Sequence, residues 1–81
     1  MKLYKWEDRI KFDPEICHGK PCITGTRIMV SIIIDYLKAG ESVESVIREY
    51  PQLSEDDIRA AMEYAAWLVH EEEKQPLHTE F

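Results

Sequence analysis

Cys17, His18 and Cys22 lie close together, and two thiols beside an imidazole are the first side chains in this sequence whose types suggest chemistry. A structural zinc ion takes four nitrogen or sulfur ligands in a tetrahedron. The cluster offers three at most, and neighbours such as Cys17 and His18 rarely point at one ion; His70 and His78 lie far along the chain. No metal is expected, and the cysteines read as two reduced thiols in a Gly/Pro loop. Their separation could be bridged by a disulfide, but nothing in the sequence requires it. A cysteine nucleophile paired with His18 lacks an evident orienting carboxylate. Gly19-Lys20 looks like a fragment of a phosphate-binding loop, but Pro21 follows the lysine and no second glycine precedes it at the required distance. Among the 16 Asp and Glu residues no two stand out as an acid/base pair. The expectation is a protein that is not an enzyme and carries no cofactor.

The basic residues give a different chemistry. Arg9, Lys11, Lys20 and Arg27 fall in the first 28 residues, where basic side chains on a two-stranded ribbon could contact phosphates or enter a groove. Lys11 and Lys20 are the stronger members of this patch. Arg27 either joins them or pairs with a carboxylate on the helices. Arg48 and Arg59 are secondary candidates for DNA contact. The full chain has 81 residues, 10 Lys+Arg and 16 Asp+Glu, for a formal net charge of -6. Seven basic residues face five acidic ones up to Lys38; beyond it three face eleven. The second half therefore repels phosphate. Nucleic-acid contact must use the first half, or a basic partner must cover the second.

These residues need elements to hold them. A chain of 9.5 kDa buries a little over 60% of its unfolded surface, enough for one small core. No apolar run reaches the roughly 18 residues of a membrane span. The charged N-terminus is not a secretory signal, so a soluble, cytoplasmic chain is expected. Three helices are expected, over 29–39, 43–50 and 55–73. Val30, Ile33, Ile34 and Leu37 repeat at i, i+3, i+4 and i+7, and Val43, Val46, Ile47 and Tyr50 do the same. Gly40 supplies a left-handed stop, Ser42 a cap, and Pro51 a break. Ser54 and Asp57 stand at capping-box spacing, with Leu53 and Ile58 placed as a hydrophobic staple. The third helix should bury Ile58, Ala61, Met62, Ala65, Leu68 and Val69. Short connections make consecutive helices neighbours, the pattern of a helix-turn-helix unit or of an ordinary three-helix bundle. If such a unit read DNA, it would do so by the start of its third helix; here that is Ser54-Glu55-Asp56-Asp57, which phosphates repel.

Second apolar stripes remain: Met29, Ile32 and Tyr36 on the first helix, and Ala60, Tyr64 and Trp67 on the third. The N-terminal segment should cover part of them and a second copy the rest, so a homodimer is predicted. The N-terminal part offers strand candidates in Arg9-Ile10-Lys11-Phe12 and in Cys22-Ile23-Thr24 and Thr26-Arg27-Ile28, with Gly25 as a bulge or bend. Leu3, Tyr4 and Trp6 are candidate anchors. One domain results: an N-terminal hairpin segment over 1–28 on the helices, the three-helix unit over 29–73, and a polar tail over 74–81 in which Leu77 and Phe81 could anchor on a partner.

The run Asp13-Pro14-Glu15-Ile16-Cys17-His18-Gly19-Lys20-Pro21-Cys22-Ile23-Thr24-Gly25-Thr26-Arg27-Ile28, with Val30 after it, resembles the signature of the bacterial domain-of-unknown-function family 433. The stretch from Leu37 to Gly40, Tyr50-Pro51-x-Leu53, Ile58 and Tyr64-Ala65 also fit its pattern. The resemblance implies a mainly α, homeodomain-like helix-turn-helix fold with a short N-terminal β-hairpin. It also implies an antitoxin role of the VapB type, with a PIN-like nuclease toxin as partner; such a protein would neutralise the toxin through its acidic half and touch operator DNA through Lys11, Lys20 and Arg27. The alternative is a homodimeric protein-interaction module that never touches DNA.

Overall fold

In the computed structural model, which describes residues 5–74, a two-stranded ribbon precedes three helices. Strand β1 is Ile10–Lys11 and β2 is Cys22–Ile23. They are antiparallel, with Ile10 opposite Ile23 and Lys11 opposite Cys22. The helices are α1, Val30–Lys38; α2, Val43–Glu49; and α3, Glu55–Lys74. The fold is mainly α, with an N-terminal β-hairpin, as the sequence led us to expect. Leu3, Tyr4, Leu77, Phe81 and the rest of the tail beyond Lys74 lie outside the described residues.

The helix boundaries follow from local chemistry. No side chain caps α1, but the Val30 N–H donates to the Pro21 carbonyl at 3.0 Å, which satisfies one of the donors a helix start leaves open. At its end the Glu41 N–H donates to the Tyr36 carbonyl and the Gly40 N–H to the Leu37 carbonyl, both at 3.0 Å. This is a Schellman closure, and it requires the φ of +95° that Gly40 supplies. Ser42 caps α2 by accepting from the Ser45 N–H at 3.0 Å. Tyr50 leaves helical geometry just before Pro51. The α3 capping box is reciprocal: the Asp57 N–H donates to Ser54 Oγ at 3.2 Å, and the Ser54 N–H donates to Asp57 Oδ2 at 2.9 Å.

Ile33, Ile58, Val46, Ala60 and Ala61 form the centre of the core, joined by Ile10, Ile23, Ile28 and Val30 from the ribbon and its exit. The hairpin is thus part of the core rather than an arm laid on it. The expected α1 and α2 faces are the ones turned inward, Val30, Ile33 and Val46 being buried and Ile34, Leu37, Val43, Ile47 and Tyr50 packed around them.

The expected face of α3 needs correction. Ala60, expected off the core, is fully buried, whereas Met62, Leu68 and Val69 are 42%, 43% and 54% exposed. Two causes account for this. Trp6 lies against Tyr64 and Trp67 at ring-centroid distances of 4.9 and 5.4 Å, so the side of α3 bearing Ala60 and Tyr64 is covered. Met62 stands about 100° round the helix from Ala61 and turns away. Leu68 and Val69 are subject to the second cause, which is length. Twenty residues of α3 extend for about 30 Å, against about 14 Å for the nine of α1. By Leu68 and Val69 the helix has left the buried core cluster.

Candidate phosphate-contacting site on the hairpin

Alternation along β1 turns Ile10 inward and Lys11 to solvent. After β2 the chain reverses at once. The Ile23 N–H donates to the Ile28 carbonyl at 3.0 Å, and Met29 bridges back to Cys22. Thr26-Arg27-Ile28 therefore does not extend the β2 strand; it folds back along it. Two devices make the reversal. Gly25 takes a φ of +84°, which a side chain would resist. The Thr26 hydroxyl donates to the Ile23 carbonyl at 2.8 Å and accepts from the Ile28 N–H at 3.0 Å. The thiols pin the same loop from inside: Cys22 Sγ donates to the Thr26 carbonyl at 3.6 Å, and Cys17 Sγ to the Arg27 carbonyl at 3.3 Å.

This reversal brings Arg27 to Lys11. Both line a cavity of about 510 Å³, together with Ile16, Cys22, Gly25, Thr26 and Gln52. Two cations, an amide and a hydroxyl-bearing loop around one hollow suit an anionic group such as a phosphate. Lys20 is exposed on the connection that enters β2. Arg48 and Arg59 are exposed on α2 and α3, and neither lines this cavity. The structure thus brings together Lys11 and Arg27 of the six cationic candidates. Gln52 and Thr26 were not among the sequence candidates; Gln52 sits in the turn after Pro51, where no periodicity marks it.

The ion pair sketched for Arg27 is made by another residue. Among the described residues no ion pair joins Arg27 to a helix carboxylate. Arg9 does this work: Nη1 lies 3.0 Å from Asp57 Oδ1 and Nη2 lies 3.5 Å from Asp56 Oδ2. It ties the ribbon to the first turn of α3 and offsets the acidity there. The start of α3 remains anionic through Glu55, which is exposed.

The thiols are free, Cys22 fully buried and Cys17 partly. Burial pushes the Cys22 thiol pKa up, and the Cys17 thiol pushes it further the same way. No set of three His, Cys, Asp or Glu side chains converges among the described residues.

The residues expected at a dimer interface divide. Tyr64 is engaged within the chain by Trp6 and by Phe12, the latter at 5.8 Å. Trp67 touches Trp6 and stays 43% exposed. Tyr36 meets Tyr50 at 5.8 Å, and the Tyr50 hydroxyl, then burial, pushes the Tyr36 pKa up. Ile32 and Tyr36 border a shallow hollow with Asp35 and Ala39. Met29 pairs with Cys22 through its backbone, and its side chain is half-buried. No described helix is long and apolar enough to cross a membrane.

Residues 10–65 match the family model described as "Protein of unknown function (DUF433)". The chain is similar to an uncharacterized protein, y4eO, from Sinorhizobium fredii, with 38% identity over 52 residues; these are 64% of this chain and 24% of that protein. The chain therefore spans about a quarter of the length of this curated relative. It is also similar to the crystal structure of a DUF433 member protein from Anabaena variabilis, with a TM-score of 0.72 and 26% identity, covering 84% of this chain and 67% of that one.

Proposed function

The chain belongs to the DUF433 family, and from that premise we propose that it is a non-enzymatic, antitoxin-like helix-turn-helix protein of the cytoplasm. It contacts operator phosphates through the hairpin and binds a PIN-like nuclease through its acidic helical half. The observation that carries this reading is the shared cavity of Lys11 and Arg27, with Lys20 exposed on the connection between the two strands. The cations gather on one element while Glu55, Glu63, Glu72 and Glu73 stand exposed along α3. A nucleic acid and a basic protein can then take different faces. Groove reading by the start of α3 is disfavoured by its carboxylates, so the ribbon is the DNA-facing element.

The test is binding of the purified chain to a duplex from its own upstream region across a salt series. Three phosphate contacts per copy predict a slope of log K against log salt of about -2.7, doubled for two copies on one site. Lys11→Glu with Arg27→Glu should abolish the binding. Unchanged binding by that double variant would refute the assignment.

The exposed Met62, Trp67, Leu68 and Val69 support the second reading, a homodimeric protein-interaction module. Sedimentation that finds only the 9.5 kDa species at all concentrations removes the homodimer. Co-purification with a PIN-like nuclease encoded next to this gene, without duplex binding, would favour the interaction module over the DNA-binding role.

A further inference from the structure

We infer that Cys17 and Cys22 are a redox-sensitive dithiol that closes to an intramolecular disulfide and, in closing, loosens the loop that carries Arg27. The consequence for binding rests on the proposed function; the chemistry does not.

The two thiols donate to neighbouring carbonyls, Cys22 to Thr26 and Cys17 to Arg27, at 3.6 and 3.3 Å. Each sulfur is therefore held against the same short piece of backbone, and Cys17 is among the groups that act electrostatically on the Cys22 thiol. The chain between them is bent in an unusual way. Cys17 and His18 carry φ values of +55° and +56°, and Gly19 follows at +80°. Left-handed backbone is routine for glycine and costly for side-chain-bearing residues, so something must hold two of them there. Asp13 helps: its carbonyl accepts from the Ile16 and Gly19 N–H groups at 2.9 and 3.0 Å. The result is that the Cys17 thiol reaches the Arg27 carbonyl.

The two sulfurs differ in access. Cys17 is partly exposed and Cys22 is 1% exposed. A peroxide meets Cys17 first. Its thiolate attacks one peroxide oxygen, the O–O bond breaks, and hydroxide leaves with a proton as water, giving a sulfenic acid. Cys22 sulfur then attacks the Cys17 sulfur, the S–OH bond breaks, and the departing hydroxide leaves as water with the Cys22 proton. Two thiols and one hydrogen peroxide become one disulfide and two waters. Because burial raises the Cys22 pKa, the second step quickens as pH rises.

Closure removes both S–H donors. The Thr26 and Arg27 carbonyls lose their thiol partners, and the loop keeps the Thr26 hydroxyl clasp and the Ile23–Ile28 bond. Arg27 and the Cys22 wall of the cavity both belong to the part that changes.

The test treats the full reduced chain with excess hydrogen peroxide. Free thiols are counted in denaturant with a chromogenic disulfide reagent, and the intact mass is measured. The expected result is loss of both thiols, a mass lower by two hydrogens, and full recovery with dithiothreitol. Retention of two thiols, mass gained as oxygen alone, or linkage between chains would overturn the dithiol. Cys17→Ser, at the less buried position, should leave one thiol and form no internal bond. Loosening is read from hydrogen exchange: the amides of Ile23, Thr26 and Ile28 should exchange faster in the oxidised chain than in the reduced one, and equal rates overturn this part. Binding to the upstream duplex should weaken at least about threefold on oxidation in the wild type and not in Cys17→Ser. If neither redox form binds the duplex, the proposed function fails, while thiol count and exchange still decide the dithiol.

Discussion

Asp57 joins two roles that are usually separate, and its removal has a calculable cost. Its Oδ2 accepts the Ser54 N–H at 2.9 Å in the capping box, and its Oδ1 accepts from Arg9 Nη1 at 3.0 Å. The carboxylate side chain is 13% exposed and the Arg9 side chain 34%. A lost cap interaction costs about 1 kcal/mol. The pair with Arg9 lies between a surface ion pair, at about 0.2–1 kcal/mol, and a shielded charge-assisted hydrogen bond, at about 1.5–3. The exposure of Arg9 and the presence of Asp56 as a second partner at 3.5 Å pull it toward the lower figure. Asp57→Ala should therefore destabilise by about 2 kcal/mol, and Asp57→Asn, which keeps an oxygen for the cap, by about 1. Arg9→Ala should cost about 1 kcal/mol, and the double-mutant coupling between Arg9 and Asp57 should be about 0.5–1. Urea unfolding followed by far-UV circular dichroism measures all of these. A change below about 0.5 kcal/mol for Asp57→Ala, or strict additivity with Arg9→Ala, refutes the claim that this carboxylate fastens the ribbon to α3.

Two further outcomes can be measured. Ile33→Ala, at a fully buried position, should cost about 2–5 kcal/mol in thermal or urea unfolding, whereas Val69→Ala, at a residue 54% exposed, should stay within about 0.5. Stability should also fall on the alkaline side. Cys22 and Tyr36 both hold their protons more tightly folded than unfolded, so the unfolded chain releases protons first and gains ground as pH rises. The loss should begin near the ordinary thiol value of 9.0 and deepen past the ordinary phenol value of 10.0. A melting temperature that is flat or rising from neutrality through that range contradicts these environments.

The features legible in the sequence were those decided by neighbours in the chain. Gly40, Ser42, Pro51 and the Ser54/Asp57 box set helix ends because each acts within a few residues of itself. The buried faces of α1 and α2 were legible for the same reason, since their large residues recur at helical spacing. What was not legible depended on distant partners. Which arc of α3 turns inward is set by Trp6 from the far end of the chain, and alanines at 60 and 61 give the periodicity little to choose between. The ribbon-to-helix ion pair links residues 48 apart in sequence, so nothing local favoured Arg9 over Arg27. The meeting of Lys11 with Arg27 needs the Ile23–Ile28 reversal, and Gly25 announced a bend there without giving its direction.

The fall in burial along α3 divides one continuous helix into two thermodynamic regimes. Around Ile58 and Ala61 its amides can open only when the whole core opens, and their protection reports global unfolding. Around Leu68 and Val69, 43% and 54% exposed, the same ladder is far more open to water. Amides in that stretch lose protection through local opening, not only through global unfolding.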